Sequence, residues 1–468
     1  MIPINLVNSI PEGLKKAGEI VDRIYMKQSC GDCEAILNRL TSEESKRLFQ
    51  INFGPFNRLG NNEPIIEGIY GFPGQGNYPG VSDKGELSKY LEEHEELRES
   101  FEKPFTVVKR EGETYTAIPF HQYYGEFLEK LSSVLSTTST GIKPLDRFLS
   151  KRAEEILKDD FSEGDQLWLE IEEGLSAYVG PVEVDDPILG VKMGYGEAVF
   201  LINNEWTKKG QRIASLLSEF QKQLPLKELQ GIKPMQYPGL FVSDLQYAAG
   251  IVRIPPARTY LILPPDLPNK SRKIFFKNII ETEYRTIISR IGKEMINEWQ
   301  EDPESILYFL IMHDIFHYLG SSQDEEGEQI LGKNTGKGFL IEEIKADSSA
   351  AFFARKAYTM GIIEKSPSVF WKNYLAYLLY LASKNCKPAV VQLNYLIQER
   401  GIKGRVDGKI EITGNFFPAI RKMLQTVLSV EVRENKKSFK DLAHLSSDLE
   451  SMLKRYNDFD FYLENGIK

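Results

Sequence analysis

The stretch Ser305–Gly320, SILYFLIMHDIFHYLG, decides how the chain is read. It is apolar nearly all round, the pattern of a helix that belongs in an interior. Asp302 is a suitable N-cap, Pro303 a suitable first helical residue and Gly320 a natural terminator, which predicts a helix from Asp302 to Gly320. Inside it His313 and His317 stand at i and i+4, on one face and near enough to share one ion. The chain has 5 histidines, and the chance that any two fall four apart is roughly one in twenty-five by pair counting. A lone histidine in an apolar helix is usually a satisfied core residue; a pair at this spacing points to a metal.

Zinc needs a third protein ligand and, for catalysis, an open position. The next helical pattern, FLIEEIKADSSAAFFARKAY from Phe339 to Tyr358, offers Glu343 and Asp347, again at i and i+4. One carboxylate could bind the ion while the other orients a ligand histidine through its free ring N–H, and Glu342 is a second candidate for that outer role. A solvated acidic face is the plain alternative. The flanking FLI and AAFFA segments instead predict burial, and buried acids need partners. Asp314 follows the first histidine, where an HExxH arrangement places the general-base glutamate. Aspartate is one methylene shorter, and a retraction of about 1 Å can cost on the order of a hundredfold in rate. Asp314 is therefore expected to be a weak base, to act through an extra water, or to mark a changed reaction.

Two competing readings of these segments fare worse. HDIFH also looks like the signature of an HD-domain phosphohydrolase, but that site needs a further upstream histidine and none lies between His121 and His313. GKNTGKG, Gly332 to Gly338, lacks the four-residue spacer and the Ser/Thr after lysine of a phosphate loop, and is expected to be a connector.

The whole-chain totals are those of an ordinary globular protein. At 468 residues, 41% hydrophobic and 27% charged, the chain is too long for one core, and two lobes are expected. The net charge of −9, with no long basic cluster, disfavours nucleic acid and polybasic membrane contact. MIPINLVNSIPEGLKK lacks the features of a signal segment and no apolar run reaches membrane-spanning length, so a cytoplasmic location is expected. Three cysteines exclude a disulfide scaffold. The CGDC at Cys30–Cys33 reads as an incidental helix start with Asp32 as its cap.

The first hundred residues read as amphipathic helices interrupted by a Gly/Pro/Asn-rich loop from Phe53 to Gly80. FTVVKR and TYTAIPF predict a hairpin about Glu111 and Gly112. LWLEIEE and LSAYVGPVEV predict a second about Gly174, and RTYLILPP, Arg258 to Pro265, a further extended stretch. From Ser271 onward the pattern is almost wholly helical. The fold class expected is α+β, a mixed lobe followed by a helical lobe carrying the metal site.

HDIFH followed by EEIKAD resembles the metal motifs of the dipeptidyl peptidase III family, HExxH or HExxGH and then EECRAE or EEAKAD. INFGPFNRLGNNEPIIEG at Ile51, YVGPVEVDDPILGVKMGYGEAVF at Tyr178, SDLQYAAG at Ser243 and VQLNYLI at Val391 are similar to family segments, so the resemblance runs along most of the chain. It implies two lobes around a cleft, a mixed one with a small β-barrel core and a mostly helical one with zinc. The corresponding expectation is residues 1–203 plus 236–272 for the mixed lobe, 204–235 plus 273–430 for the helical lobe, and 431–468 as a C-terminal helical segment. It further implies one Zn2+ per chain held by His313, His317 and Glu343, Asp314 in the catalytic position, Glu342 and Asp347 behind the ligands, and a peptide or small-molecule substrate between the lobes.

The chain also departs from the family. Glu183 matches the glutamate of the substrate motif, but the neighbouring tyrosine falls on Asp185, and the second acidic residue falls on Gly196 with Glu197 adjacent. The asparagines that clasp a peptide N-terminus fall on Ile262 and Pro265, and only His444 lies downstream of His317. Three readings follow: a zinc-dependent hydrolase of peptide or amide bonds, a member repurposed for a small or non-peptide substrate, and a binding protein whose metal is structural.

Overall fold

A computed structural model describes residues 10–58, 62–66, 71–81, 84–254, 259–262, 272–320, 337–384 and 386–433. The chain divides into two compact units, one from the described residues within Met1–Asn204 and Phe241–Ile279, the other within Glu205–Leu240 and Ile280–Asp458. No helix of the described residues is long and apolar enough to cross a membrane.

The first unit opens on the helix Glu12–Cys30, whose Leu14, Ala17, Val21, Ile24 and Tyr25 recur at helical spacing and are fully buried. The hairpin expected about Gly112 is present: β1 (Thr106–Glu111) pairs antiparallel with β2 (Thr114–Pro119). The main sheet is built from β3 (Gly174–Val184), β4 (Met193–Ile202), β5 (Leu240–Gly250), β6 (Thr259–Ile262) and β7 (Arg272–Phe276), in the order β3-β4-β5-β7-β6. Register shifts between Pro181 and Glu183 and between Val199 and Phe200 put a bulge in two of its ladders, and bulges bend strands. The sheet curls into a mixed half-barrel. Pro181, which cannot donate to a ladder, lies on an edge strand where that costs least. At the end of β5, Gly250 has φ +61°, and a Cβ there would lie 2.3 Å from the Tyr195 carbonyl oxygen. Only glycine suits that position.

Three sequence expectations change here. LWLEIEE is not a strand: its first half completes the helix Ser162–Leu169, with Trp168 fully buried, and β3 instead pairs with β4. An apolar run that short fits either period, so length could not decide between helix and strand. Residues 272–276 form a strand rather than the start of a helix, and a short ribbon joins β8 (Ile402–Gly404) to β9 (Ile410–Ile412) within the stretch read as helical. Pro265, His444, residues 434–468 and most of GKNTGKG lie outside the described residues, as does the side chain of Ile262.

Among the described residues the second unit is mainly helical, that ribbon being its one hairpin. The helix Pro303–Phe316 lies in its core, with Leu307, Phe309, Ile311, Met312, Ile315 and Phe316 all fully buried. Phe316 stacks edge-on against Phe220 and Phe353, and Phe309 meets Tyr374. Lys337–Thr359 runs alongside, bringing the acidic segment against the histidine helix.

Candidate metal centre

Pro303 starts the histidine helix as expected, but Asp302 does not cap a backbone N–H; its Oδ2 accepts from Ser305 Oγ at 2.6 Å. The regular helix ends at Phe316, so His313 is held inside it while His317 is its C-cap. A hydrogen bond from His317 N–H to His313 O, 3.2 Å, keeps the second ring above the first. The end is also clamped from the side. Gly320 N–H donates to Gln221 Oε1, and Gln221 Nε2 donates to Gly320 O and Leu229 O.

The two Nε2 atoms are 3.1 Å apart, with the rings nearly perpendicular. Glu343 faces both, Oε2 at 3.6 Å from His313 Nε2 and Oε1 at 3.7 Å from His317 Nε2. All three residues offer ligand atoms within 4.8 Å of one another. Two ligands on tetrahedral zinc at their usual bond lengths are separated by roughly 3.3 Å. Two imidazole nitrogens and a carboxylate converging at these separations are a donor set that fits the ion: the cluster can hold a metal.

Behind the ligands is a chain of oriented groups. Asp347 Oδ1 lies 2.7 Å from His313 Nδ1, which directs Nε2 forward. Its other oxygen accepts from Gln392 Nε2 at 2.7 Å, and Gln392 Oε1 in turn accepts from the Tyr374 hydroxyl at 2.6 Å. On the other ring, His317 Nδ1 is 3.6 Å from Glu342 Oε2, while Lys345 donates to Glu342 Oε1 at 3.0 Å and to His317 O at 3.3 Å. Burial disfavours the charged form of His313, but Asp347, Glu343 and Asp314 outweigh it and push the imidazole up to about 9. Burial works against the Glu342 carboxylate too, and there Lys345 and His317 win, holding it below the usual range. The pocket is thus strongly negative around its histidines, which suits a cation.

Asp314 is one residue past His313, and its Oδ2 accepts from the Tyr237 hydroxyl at 2.5 Å. Tyr237 is buried, stacks edge-on against Tyr318, and is shifted well upward by burial and by the Asp314 charge. Sequence reading found His313, His317, Glu343, Asp314, Glu342 and Asp347, and the structure gathers all six. It missed Tyr237, Lys345, Gln392 and Tyr374. Gln392 and Lys345 lie within quoted segments, VQLNYLI and EEIKAD, where two buried polar residues among apolar ones were the available signal.

The three residues tied to substrate by resemblance belong to the other unit and differ in setting. Glu183 is exposed at the end of β3. Asp185 pairs with Arg58 and accepts from the Tyr25 hydroxyl at 2.8 Å. Glu197 is fully buried in β4 with no protein hydrogen bond to either carboxylate oxygen, and burial, with Asp22 adding to it, raises its carboxyl well above the ordinary value.

No family model matches the chain. Among curated proteins it is 21% identical to Nudix hydrolase 3 of Arabidopsis thaliana, over 90% of this chain and 65% of that protein, so it spans less than two thirds of that relative's length. The structure superposes on dipeptidyl peptidase III from Caldithrix abyssi with a TM-score of 0.84 at 20% identity, covering 97% of this chain and 94% of the other. With dipeptidyl-peptidase III from Corallococcus sp. strain EGB the TM-score is 0.78 at 19% identity, over 95% and 89%. Over nearly its whole length, therefore, the chain has the dipeptidyl peptidase III fold that its motifs resemble.

Proposed function

We propose that the protein is a zinc-dependent hydrolase of peptide or other amide bonds. The observation that carries the reading is the convergence of His313 Nε2, His317 Nε2 and Glu343 on one point, with Asp314 beside it in the same unit. Bound zinc supplies two things at such a site: it polarises a carbonyl oxygen, and it lowers the pKa of a coordinated water toward neutrality. Asp347 orients His313 through a hydrogen bond to Nδ1, while Glu342, 3.6 Å from His317 Nδ1, places a negative charge behind the second ring. Asp314 is the base that takes the proton from water. The Tyr237 hydroxyl, bonded to its Oδ2, holds that carboxylate in place beside His313. The names of the solved relatives, and that of the Arabidopsis protein, support hydrolysis.

A second reading, the same metal centre serving a small or non-peptide substrate, is favoured by one feature. A shortened base clamped by a buried tyrosine is held back, so the position it serves differs from that of a longer, freer glutamate. The test is metal analysis of purified protein followed by assays on dipeptidyl and longer peptide substrates and on simple amides, for wild type, His317→Ala, Asp314→Asn and Asp314→Glu. Stoichiometric zinc, with amide hydrolysis lost in His317→Ala and Asp314→Asn, is expected. Peptide hydrolysis gained in Asp314→Glu marks an attenuated peptidase, whereas a native activity lost in that variant marks the repurposed site. Absence of zinc, together with activity intact in His317→Ala, removes the proposal.

A further inference from the structure

A second chemical feature lies in the first unit, far along the chain from the histidines and unused by the proposed hydrolysis. Cys30 is the last residue of the helix Glu12–Cys30, and Cys33 is the first of the helix Cys33–Leu37. Between them Gly31, at φ +66°, turns the chain, and Asp32 accepts from Ala35 N–H, the cap read from the sequence. This turn brings the two Cα atoms to 5.5 Å, at the usual separation for a disulfide, and the two sulfurs are bonded. The CGDC segment is therefore more than an incidental helix start.

Both cysteines line a cavity of about 1200 Å³, together with Asp22, Lys27, Phe127 and Arg253. They are 7% and 6% exposed, so that cavity is where a reagent would meet them. Neighbouring loops close on the pair through Gly76, where a Cβ would lie 1.6 Å from the Lys27 carbonyl oxygen, so the local backbone arrangement depends on a glycine. The bond closes a ring of only four residues, and so short a loop constrains the unfolded chain less than any long one. As a structural staple it is the weakest kind. The Met26 carbonyl oxygen, 3.0 Å from Cys33 Sγ, is an acceptor for the thiol proton once the bond is reduced.

We propose that Cys30 and Cys33 form a reversible dithiol–disulfide site that exchanges with a small thiol entering this cavity. A thiolate of that reagent attacks one cysteine sulfur; a mixed disulfide forms, the Cys30–Cys33 bond breaks, and the other cysteine leaves as thiolate and takes up a proton. A second reagent thiolate attacks the reagent sulfur of the mixed disulfide, releasing the remaining cysteine as thiolate. The net change is two reagent thiols oxidised to their disulfide and one protein disulfide reduced to two thiols.

The test equilibrates the full-length protein in graded mixtures of reduced and oxidised glutathione, quenches with acid, alkylates, and maps the peptide bearing both cysteines by mass spectrometry. That peptide is expected to pass reversibly from doubly alkylated to internally disulfide-bonded across the series while the far-ultraviolet circular dichroism stays native. In folded Cys33→Ser, one glutathione is expected on Cys30. A pair that stays doubly alkylated at every ratio, or stays oxidised until the protein is denatured, overturns the proposal, as does a folded Cys33→Ser that takes up no glutathione.

Discussion

The Tyr237 hydroxyl donates to Asp314 Oδ2 over 2.5 Å, across 77 residues of sequence, so the carboxylate beside His313 is positioned by a side chain from outside its own helix. Tyr237→Phe keeps the ring and its edge contact with Tyr318 but removes the donor. A buried hydrogen bond to a charged group contributes about 1.5–3 kcal/mol, and a loss of that order is expected in urea unfolding. Zinc stoichiometry should stay unchanged, since no ligand is touched. An unfolding free energy equal to wild type would show that the bond holds nothing.

Zinc itself should stabilise the protein by mass action. An ion at a hundred times its Kd, bound only by the folded state, adds about 2.7 kcal/mol. Thermal unfolding with zinc and with chelator should therefore separate clearly for wild type and coincide for His317→Ala and for Glu343→Gln. A zinc-dependent shift that survives in both variants would place the ion elsewhere.

Asp347 bonds His313 Nδ1 with one oxygen and Gln392 with the other. Groups in this position typically alter metal affinity by about 10–100-fold. Asp347→Asn is expected to weaken zinc binding within that range in a competition titration against a chromophoric chelator, and Gln392→Ala by less. Unchanged affinity in Asp347→Asn would mean that the histidine needs no orienting partner.

Glu197 provides a pH test in the other unit. Its folded pKa is raised by burial, so the folded state holds this proton more tightly than the unfolded chain does. The sign follows: the contribution to stability is fully present below the unfolded value near 4.5 and is lost as pH rises through the folded value. Near neutrality the side chain is a liability. Glu197→Gln should raise the unfolding free energy at pH 7 by more than at pH 4.5, flattening the difference seen in wild type. Equal changes at both pH values would show that the carboxyl titrates alike in both states.

Much of the candidate metal centre was legible because its logic is local. His313 and His317, and Glu343 and Asp347, are each set one helical turn apart, and helical spacing is written directly in sequence. What lay beyond reach was contact at long range. Tyr237 sits in the stretch 234–239, which has neither helix nor strand and hence no period to read, and its partner is on a different element. Strands failed for a related reason. MGYGEAVFLI is nearly continuous in its buried residues, with none of the alternation that marks a half-buried strand, because side chains on both faces of β4 are covered.

The clamp of Gln221 on Gly320 carries a consequence for how the site is filled. Because the end of the histidine helix is tied down by protein groups, the loop that bears His317 does not wait for an ion to give it shape. A site held this way would be pre-organised for a metal, unlike small zinc modules that are unfolded without one. Stripping the ion should therefore leave amide exchange in the helix Pro303–Phe316 slow, and reloading should be a matter of binding rather than of refolding.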